Sequence, residues 1–313
     1  MKHLKKINCI IDTDPGVDDT AAIALSLYDE IMDIKLITTV CGNLDLETVT
    51  RNAVHILEKF KRTDIPVAKG ASKAMERVSP DAAFIHQSEG MGNYIPPKKV
   101  ATQTIEKNAV DAMYETILAN KNDIVIIALG PHTNLGHLIT QHPDVVNMIN
   151  HIYCEGCAPY GYKGESYISF NVSSDPEAFK IVLESGIPIT IIPSRMGREL
   201  ANLNEKEVFA LREINDVGRF LFEMYNGYWE HNYPDRRIAL NDTCACMILR
   251  FPELFKVKKS FFTVDVGDQP GKTIITFNKK GNVNYAYKVN KKKLHNLFVS
   301  AVKKLDNFRF YND

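Results

Sequence analysis

The sequence predicts an α/β protein with an open, mostly parallel central sheet flanked by helices, ending in a small C-terminal β-hairpin region and a closing helix. Short runs of β-branched residues alternate with amphipathic stretches along most of the chain. The strand-like runs are also continuously apolar, as in Ile-Val-Ile-Ile-Ala-Leu at 124–129 and Ile-Thr-Ile-Ile at 189–192. Strands of this kind are buried on both faces by helices, which is typical of a parallel sheet.

The predicted elements follow one another as βα units, which favours one sheet and a single domain over residues 1–313. The strand and helix of each unit are predicted at 7–13 with 17–28, 34–41 with 46–61, 123–129 with 133–141, 148–154 with 176–184, and 187–193 with 204–215. Beyond Pro252 we expect hairpin-like strands at 261–266, 273–277 and 283–289, then a basic helix at 291–304. Residues 72–99 predict a long surface loop and residues 225–237 a mobile flap, and both could cover a site.

The charge balance excludes some classes of partner. Lys and Arg total 38, Asp and Glu total 38, and the formal net charge is +0. Such a chain has no global positive field to recruit nucleic acid or an anionic membrane, so we expect neither partner. The first apolar run reaches Asp12 and Asp14 too soon for a signal peptide, and no later run is long enough to span a bilayer. These features predict a cytoplasmic protein that acts on a small molecule.

The six cysteines favour reduced, buried thiols over a disulfide framework in a chain of 313 residues. One alternative is a four-thiolate zinc site made by two pairs, Cys154 with Cys157 and Cys244 with Cys246. Neither pair has the flanking spacing of structural zinc sites, which disfavours this alternative.

The segment from Ile10 to Asp19 carries most of the chemical information. A buried-looking strand runs directly into four aspartates within eight residues. Burial of so much negative charge requires a counter-charge, and only oxygen ligands are close in sequence, which favours Ca²⁺ or Mg²⁺ over zinc, with calcium more tolerant of irregular geometry. Helix capping by Asp18 and Asp19 is the simpler explanation, but it leaves Asp12 and Asp14 unexplained.

The same residues resemble a known family. Asp-Thr-Asp-Pro-Gly-Val-Asp-Asp at 12–19 is similar to the N-terminal signature of the inosine/uridine-preferring nucleoside hydrolases. The resemblance continues in order through five further segments: Val40-Cys41-Gly42-Asn43, residues 85–92 around His86, Leu129-Gly130-Pro131-His132-Thr133-Asn134, Phe170-Asn171 with Asp175-Pro176-Glu177-Ala178, and Leu240-Asn241-Asp242. Its implication is an enzyme that hydrolyses the N-glycosidic bond of a ribonucleoside to free base and ribose, commonly as a homodimer or homotetramer.

The resemblance also implies a role for each matching residue. Asp14 would take the proton from a water bound to a calcium ion, and Asp12 would support these ligands from behind. The implied calcium ligands are Asp14, Asp19, the main-chain carbonyl of Thr133, and Asp242, which are all hard oxygen donors. The residues implied or predicted to contact the ribose are Asp18, Asn43, Asn171, Ser169 and Glu155.

Three positions depart from the family pattern. The late His that lies near the departing base is Asn241 here, so leaving-group contacts are predicted from Asn241 itself, His86 and Tyr228, with His231, Tyr225, Tyr233 or a stacking Trp229 as alternatives. Ser169 replaces a Glu that reaches the ribose 5′-hydroxyl, and Glu155 replaces a Met. A Glu155–Arg195 ion pair between neighbouring strand ends is a further hypothesis.

Two other functional readings remain open from the sequence. Asp12 and Asp14 could be the nucleophile and acid of a haloacid-dehalogenase-like phosphatase, although Gly16 is unusual there and Asp18 and Asp19 would have no role. The chain could also be a non-catalytic ribose or nucleoside binder that keeps the metal site without turnover.

Overall fold

The computed structural model describes residues 5–78, 89–159, 168–232 and 236–311, and at 229–232 it describes only the main chain. Nine strands form one sheet in the order β3-β2-β1-β4-β5-β6-β9-β7-β8. The strand bounds are β1 Ile7–Thr13, β2 Met32–Thr39, β3 Val67–Lys69, β4 Ile124–Ala128, β5 His151–Glu155, β6 Ile189–Ile192, β7 Phe255–Val264, β8 Thr273–Phe277 and β9 Val283–Val289.

The strand directions confirm the predicted mostly parallel sheet. Strands β1 to β6 pair in parallel, and β9 extends this part by pairing in parallel with β6. Strand β7 is antiparallel to both β9 and β8, which forms the predicted C-terminal hairpin region. The chain passes from β1 outward through β2 and β3 and then returns to place β4 on the other side of β1. Ligands bind at such a reversal of strand order, so a cleft is expected where β1 and β4 end.

Helices cover both faces of the sheet. The α-helical bounds are α1 Val17–Ser26, α2 Leu46–Lys59, α3 Ala109–Ala119, α4 Thr133–Gln141, α5 Phe170–Ser174, α6 Pro176–Glu184, α7 Glu205–Leu211, α8 Asp216–Asn232, α9 Asn241–Arg250 and α10 Lys291–Lys304. A single π-helical turn, Met196–Leu200, follows β6. None of the described helices is long and apolar enough to cross a membrane.

The apolar core is divided by the sheet into two clusters. Alternate residues of β1 face opposite sides, with Ile11 in one cluster and Ile10 in the other. Cys244 and Cys246 belong to the first cluster, whereas Cys154 and Cys157 belong to the second. The two cysteine pairs are therefore separated by the sheet, and the four-thiolate zinc site considered from the sequence is not formed.

The prediction of a flap at 225–237 is wrong for residues 225–232, which are helical. Residues up to Asn232 continue helix α8, because its apolar side chains are buried against the core, among them Phe220, Met224 and Tyr225. In the loop predicted at 72–99, the described parts form no helix or strand.

Asn134 holds together the carboxyl ends of three neighbouring strands. Its amide nitrogen donates to Asp12 Oδ1 at 2.8 Å and to the Thr39 carbonyl at 3.0 Å, and its amide oxygen accepts from the Ala71 amide at 2.9 Å. The side chain is fully buried, so its loss would remove the Asn134 partner of the Thr39 carbonyl and of the Ala71 amide, while Asp12 Oδ1 would keep its bond from the Thr38 hydroxyl.

We therefore expect Asn134→Ala to lower the free energy of unfolding by about 2–4 kcal/mol, because each buried orphaned group costs roughly 1–3 kcal/mol. Urea unfolding followed by circular dichroism measures this loss. Asn120→Ala, which removes a single bond to the Thr116 carbonyl of 2.9 Å, is the matched control and should change stability much less. An equal loss of unfolding free energy in both variants would contradict the role of Asn134 in holding the three strand ends together.

Candidate active site

The acidic turn joins β1 to α1 at the expected edge of the sheet. Asp18 and Asp19 lie in the first turn of α1, and Asp19 Oδ2 accepts from the Gly16 amide at 3.1 Å. Helix capping therefore accounts for one oxygen of Asp19. Its other oxygen accepts from the Thr13 hydroxyl at 2.6 Å, and the Asn43 amide donates to Oδ2 at 3.1 Å. These contacts fix the orientation of the Asp19 carboxylate.

Asp14 is fully buried in the same turn with one oxygen held and one without a partner. Oδ2 accepts from the Asn43 amide N–H at 2.7 Å, while Oδ1 has no hydrogen-bond partner. Two glycines make room for the carboxylate, since a Cβ at Gly42 would lie 2.1 Å from Oδ2 and one at Gly130 would lie 2.7 Å from Oδ1. A larger residue at either position would displace Asp14.

Asp242 reaches the acidic turn from a distant part of the chain. It lies in the first turn of α9, and one oxygen of each of Asp18, Asp19 and Asp242 lies within 4.8 Å of the others. Helix α1 packs against α9, which brings the two first turns together. The structure thus brings together an acidic group able to hold a metal ion.

These carboxylates line a cavity of about 270 Å³ at the carboxyl ends of the strands. Its described lining consists of Asp18, Asp19, Asn43, Leu129, Glu155, Ile168, Ser169, Phe170, Asn171, Ser194, Arg198, Tyr228, Asn241 and Asp242. Most of the residues predicted to contact substrate are therefore brought to one place. Sugars suit this lining, because it offers many hydrogen-bonding groups.

Burial makes the acidic cluster costly without a cation. It raises the pKa of Asp18 to about 7, with the charge of Asp19 adding to the effect. Burial likewise raises the pKa of Asp14, Glu155 and Asp242 well above the ordinary values, and the neighbouring carboxylates raise them further. A divalent cation would remove this penalty, and the donors available are oxygens throughout.

Asp12 lies behind the cluster and does not line the cavity. Its Oδ1 accepts from the Thr38 hydroxyl at 2.6 Å and from Asn134 at 2.8 Å, whereas Oδ2 has no partner. Burial raises the pKa of Asp12 to about 7. The supporting role of Asp12 stays a prediction.

Thr133, expected to offer a ligand carbonyl, is not brought to the cavity. It is the first residue of α4, where a carbonyl points along the helix axis into the next turn, and its hydroxyl donates to Asp175 at 2.8 Å. The main-chain carbonyl at this strand end belongs instead to Leu129, which follows β4 and lines the cavity. The corrected candidate is therefore Leu129.

Glu155 and Asn171 line the cavity together and are joined by a hydrogen bond. The Asn171 amide donates to Glu155 Oε2 at 2.9 Å and to the Leu129 carbonyl at 2.6 Å. The hypothesised Glu155–Arg195 pair is not what the structure shows, because Arg195 instead pairs with Glu199 one helical turn along at 2.8 Å. The Glu155 carboxylate therefore remains part of the cavity lining, where it accepts the hydrogen bond from Asn171.

Ser169 occupies the place where the family pattern has a Glu. Its hydroxyl accepts from the Cys157 amide at 3.0 Å and lies 3.4 Å from the Ser194 hydroxyl. The short side chain therefore supports the loop after β5, and Glu155 supplies the carboxylate on this side of the cavity.

The candidates for contact with the leaving base are only partly described. Tyr228 and Asn241 line the cavity, and Asn241 Oδ1 is buried without a partner. The Tyr225 hydroxyl is buried without a partner, and burial together with the charges of Asp18 and Asp242 raises its pKa. His86 and Tyr233, and the side chains of Trp229 and His231, lie outside the described residues.

Sequence reasoning assigned no role to five residues that line the cavity: Leu129, Ile168, Phe170, Ser194 and Arg198. Leu129 offers its main chain, so no side-chain pattern could reveal it. Ser194 and Arg198 follow β6, and the rule that ligands bind at the carboxyl ends of parallel strands could have drawn attention to them.

An open parallel sheet with a carboxylate-lined cavity at its point of strand reversal defines an enzyme that binds a small polar substrate beside a metal ion. Comparison with known proteins narrows this class. The sequence model of the inosine-uridine preferring nucleoside hydrolases matches residues 9–311, and the chain belongs to this family. It is a hydrolase of N-glycosidic bonds that converts ribonucleosides to base and ribose.

Individual relatives agree with this assignment. The chain is 33% identical over 263 residues to the non-specific ribonucleoside hydrolase RihC of Klebsiella pneumoniae subsp. pneumoniae, covering 83% of this chain and 84% of the relative. It resembles the structure of a purine-preferring ribonucleoside hydrolase from Gardnerella vaginalis with a TM-score of 0.88, 28% identity, and coverage of 96% and 100%. The plant nucleoside hydrolase PpNRh1 gives a TM-score of 0.86 at 26% identity, with coverage of 95% and 99%.

The metal-free protein should lose stability as pH rises. Asp12 and Asp18 have folded-state pKa values of about 7, above the ordinary value near 4, so folding favours their protonated forms. Their contribution is fully present below about pH 4 and is lost as pH rises through about 7. We expect urea unfolding in a chelator to show falling stability between pH 5 and about 8.

Asp12→Asn is the comparison variant for this measurement, because it removes one of the raised carboxyls without changing the cavity lining. The pH slope should be shallower in Asp12→Asn than in the wild type. Metal-free stability that is flat or rises across this interval would contradict the electrostatic account.

Proposed function

We propose that the chain hydrolyses ribonucleosides with Asp14 as general base, beside a calcium ion held by Asp14, Asp19, Asp242 and the Leu129 carbonyl. The observation that carries the proposal is the convergence of Asp18, Asp19 and Asp242 oxygens within 4.8 Å in one cavity. The unpartnered Oδ1 of Asp14 lies beside Gly130, the residue that follows Leu129 in the chain, so Oδ1 and the Leu129 carbonyl are two further candidate donors.

Calcium suits this donor set better than magnesium. The donors are carboxylates and a main-chain carbonyl that come from three different parts of the chain, and calcium accepts such irregular arrangements whereas magnesium requires a near-ideal octahedron. A bound ion supplies positive charge that neutralises the carboxylates and increases the acidity of nearby water.

Asp14 is suited to accept a proton. Its Oδ2 is fixed by the Asn43 amide N–H at 2.7 Å, so Oδ1 keeps a defined direction and has no competing donor. The water that loses its proton to Oδ1 attacks C1′, and the electrons of the C1′–N bond pass to the base. The residues around Asp14 thus serve to hold its carboxylate in one orientation.

The other cavity residues would hold the ribose. We assign the ribose hydroxyls to Asp18, Asn43 and Asn171, and the 5′ side to Glu155 and Ser169. Carboxylates close to the sugar also stabilise the positive charge that develops on C1′ as the bond breaks. The ribose is then bound more strongly in the transition state than in the ground state, as catalysis requires.

Several broader features complete the proposal. The single nine-stranded sheet supports one domain over the chain, and six free cysteines support work in the reducing cytoplasm. A homodimer or homotetramer is proposed from the family resemblance. No specific observation favours the phosphatase reading, and the non-catalytic binder is tested below.

Asp14→Asn should lower kcat for ribonucleosides by roughly 10³-fold or more, because the amide cannot accept the proton. Reducing-sugar release from a panel of ribonucleosides measures the change. Asp45→Asn, at the exposed N-cap of α2, is the control and should retain wild-type activity. If the wild type binds nucleosides by calorimetry and releases no base, the chain is a binder and the catalytic proposal is wrong.

Removal of divalent ions should abolish activity and lower the melting temperature at neutral pH, and calcium should restore both. The physical reason is that the buried carboxylates repel one another without a cation. Asp242→Asn should weaken the calcium-dependent rise in melting temperature, while Asp265→Asn, on an exposed turn, should leave it unchanged. A rise that persists fully in Asp242→Asn would exclude this carboxylate as a ligand.

A further inference from the structure

The departure of the base is the step that the carboxylates do not assist. When the C1′–N bond breaks, its electron pair moves to the base, which becomes negatively charged unless it is protonated. The carboxylates that stabilise the sugar cation repel this charge. Asn241 stands where the family pattern has a His, and an amide can neither donate a labile proton nor carry a positive charge.

Among the described residues that line the cavity, Arg198 is the one with a positive charge. The other charged lining residues are acidic: Asp18, Asp19, Glu155 and Asp242. Arg198 is exposed at residue level while it contributes to the lining, so it lies where the cavity opens to solvent. This is the side from which a base can leave.

The backbone places Arg198 next to the position of the replaced His. Gly197 is in direct contact with Asn241, since a Cβ added at Gly197 would lie 2.1 Å from Asn241 Oδ1 and 2.4 Å from its amide nitrogen. Arg198 is the following residue in the π-helical turn. Single π-helical turns occur frequently at functional sites.

The turn that carries Arg198 is anchored at several points. The Asn202 amide donates to the Arg198 carbonyl at 2.5 Å, and Lys291 donates to Asn202 Oδ1 at 2.8 Å. Within the same turn, the Ala201 amide donates to the Met196 carbonyl at 2.8 Å. The main chain of Arg198 therefore has a fixed position relative to α9. The side chain reaches the cavity lining from this position.

We propose that Arg198 is a catalytic residue that contacts the departing base and stabilises its negative charge in place of the absent His. The inference rests on the proposed function, because it requires a cleaved nucleoside. The guanidinium is permanently charged and presents several N–H donors, which match the ring nitrogens and carbonyl oxygens of a nucleobase.

Cleavage of the C1′–N bond does not require a proton from Arg198. Water gives its oxygen to C1′ and one proton to Asp14, and the C1′–N electron pair goes to the base. The base leaves as an anion paired with Arg198 and then takes a proton from solvent at the mouth of the cavity. Asp14 returns its proton to solvent, which restores the enzyme.

A comparison of two substrates distinguishes stabilisation of the leaving group by Arg198 from any other role of this residue. A ribonucleoside has a poor leaving group, whereas 4-nitrophenyl β-D-ribofuranoside has one that departs unaided and shares the same ribose. Arg198→Met should lower kcat/KM for the ribonucleoside roughly 10²-fold and change that for the nitrophenyl riboside by less than about threefold. Arg198→Lys, which keeps the charge, should recover part of the loss.

The control variant is Arg195→Gln, which removes a charge from the same turn outside the described cavity lining. It should match the wild type on both substrates. Equal losses on both substrates for Arg198→Met, selective losses for Arg195→Gln, or no loss for Arg198→Met would each overturn the assignment. A selective loss in Tyr228→Phe with none in Arg198→Met would transfer the role to the Tyr228 phenol.

The test also separates failure of this assignment from failure of the proposed function. If the wild type cleaves both substrates and Asp14→Asn cleaves neither, the general base is secure whatever Arg198 does. If Asp14→Asn keeps full activity on the nitrophenyl riboside, the proposed general base fails first.

Discussion

The structure depends on the balance between buried carboxylates and the positive charge they require. Asp14, Asp18, Asp19, Glu155 and Asp242 are brought together at the carboxyl edge of the sheet, and burial raises the pKa of each of them, with repulsion from neighbouring carboxylates adding to the effect for all but Asp19. No packing of apolar residues could compensate for so much isolated charge. The surrounding polar contacts make sense as a frame that directs these oxygens toward one shared cation.

Much of this arrangement could be predicted from the sequence. Continuous apolar runs that alternate with helices predicted parallel strands, because a strand buried on both faces has a recognisable local sequence and a helix between two strands lets them run in the same direction. The errors concern contacts that local patterns do not determine. Thr133 lies in the first turn of α4 and outside the described cavity lining, whereas Leu129 lines the cavity. Residues 225–232 of the predicted flap belong to helix α8, where Tyr225 and Tyr228 are buried.

The departures from the family pattern form a coherent set in space. Glu155 brings a carboxylate from the end of β5 to the cavity, where Ser169 at the N-cap of α5 has none. On the opposite side, Asn241 contacts the turn that carries Arg198. With the proposed roles, the part of the cavity that binds the sugar keeps its negative charge, and the part that binds the base gains a positive one. The replacements at Glu155, Ser169 and Asn241 therefore change which residues supply the charged groups, and the proposed chemistry of the site stays the same.

The meeting of α1 with α9 has a consequence for biosynthesis. Asp18 and Asp19 leave the ribosome early, whereas Asp242 follows only after most of the chain has been made. A complete ion site cannot exist on a nascent fragment, so premature capture of a cation by a partly made, unfolded chain is weak. A bound ion would instead join two parts of the chain that are distant in sequence, and it could bind only after both have folded together.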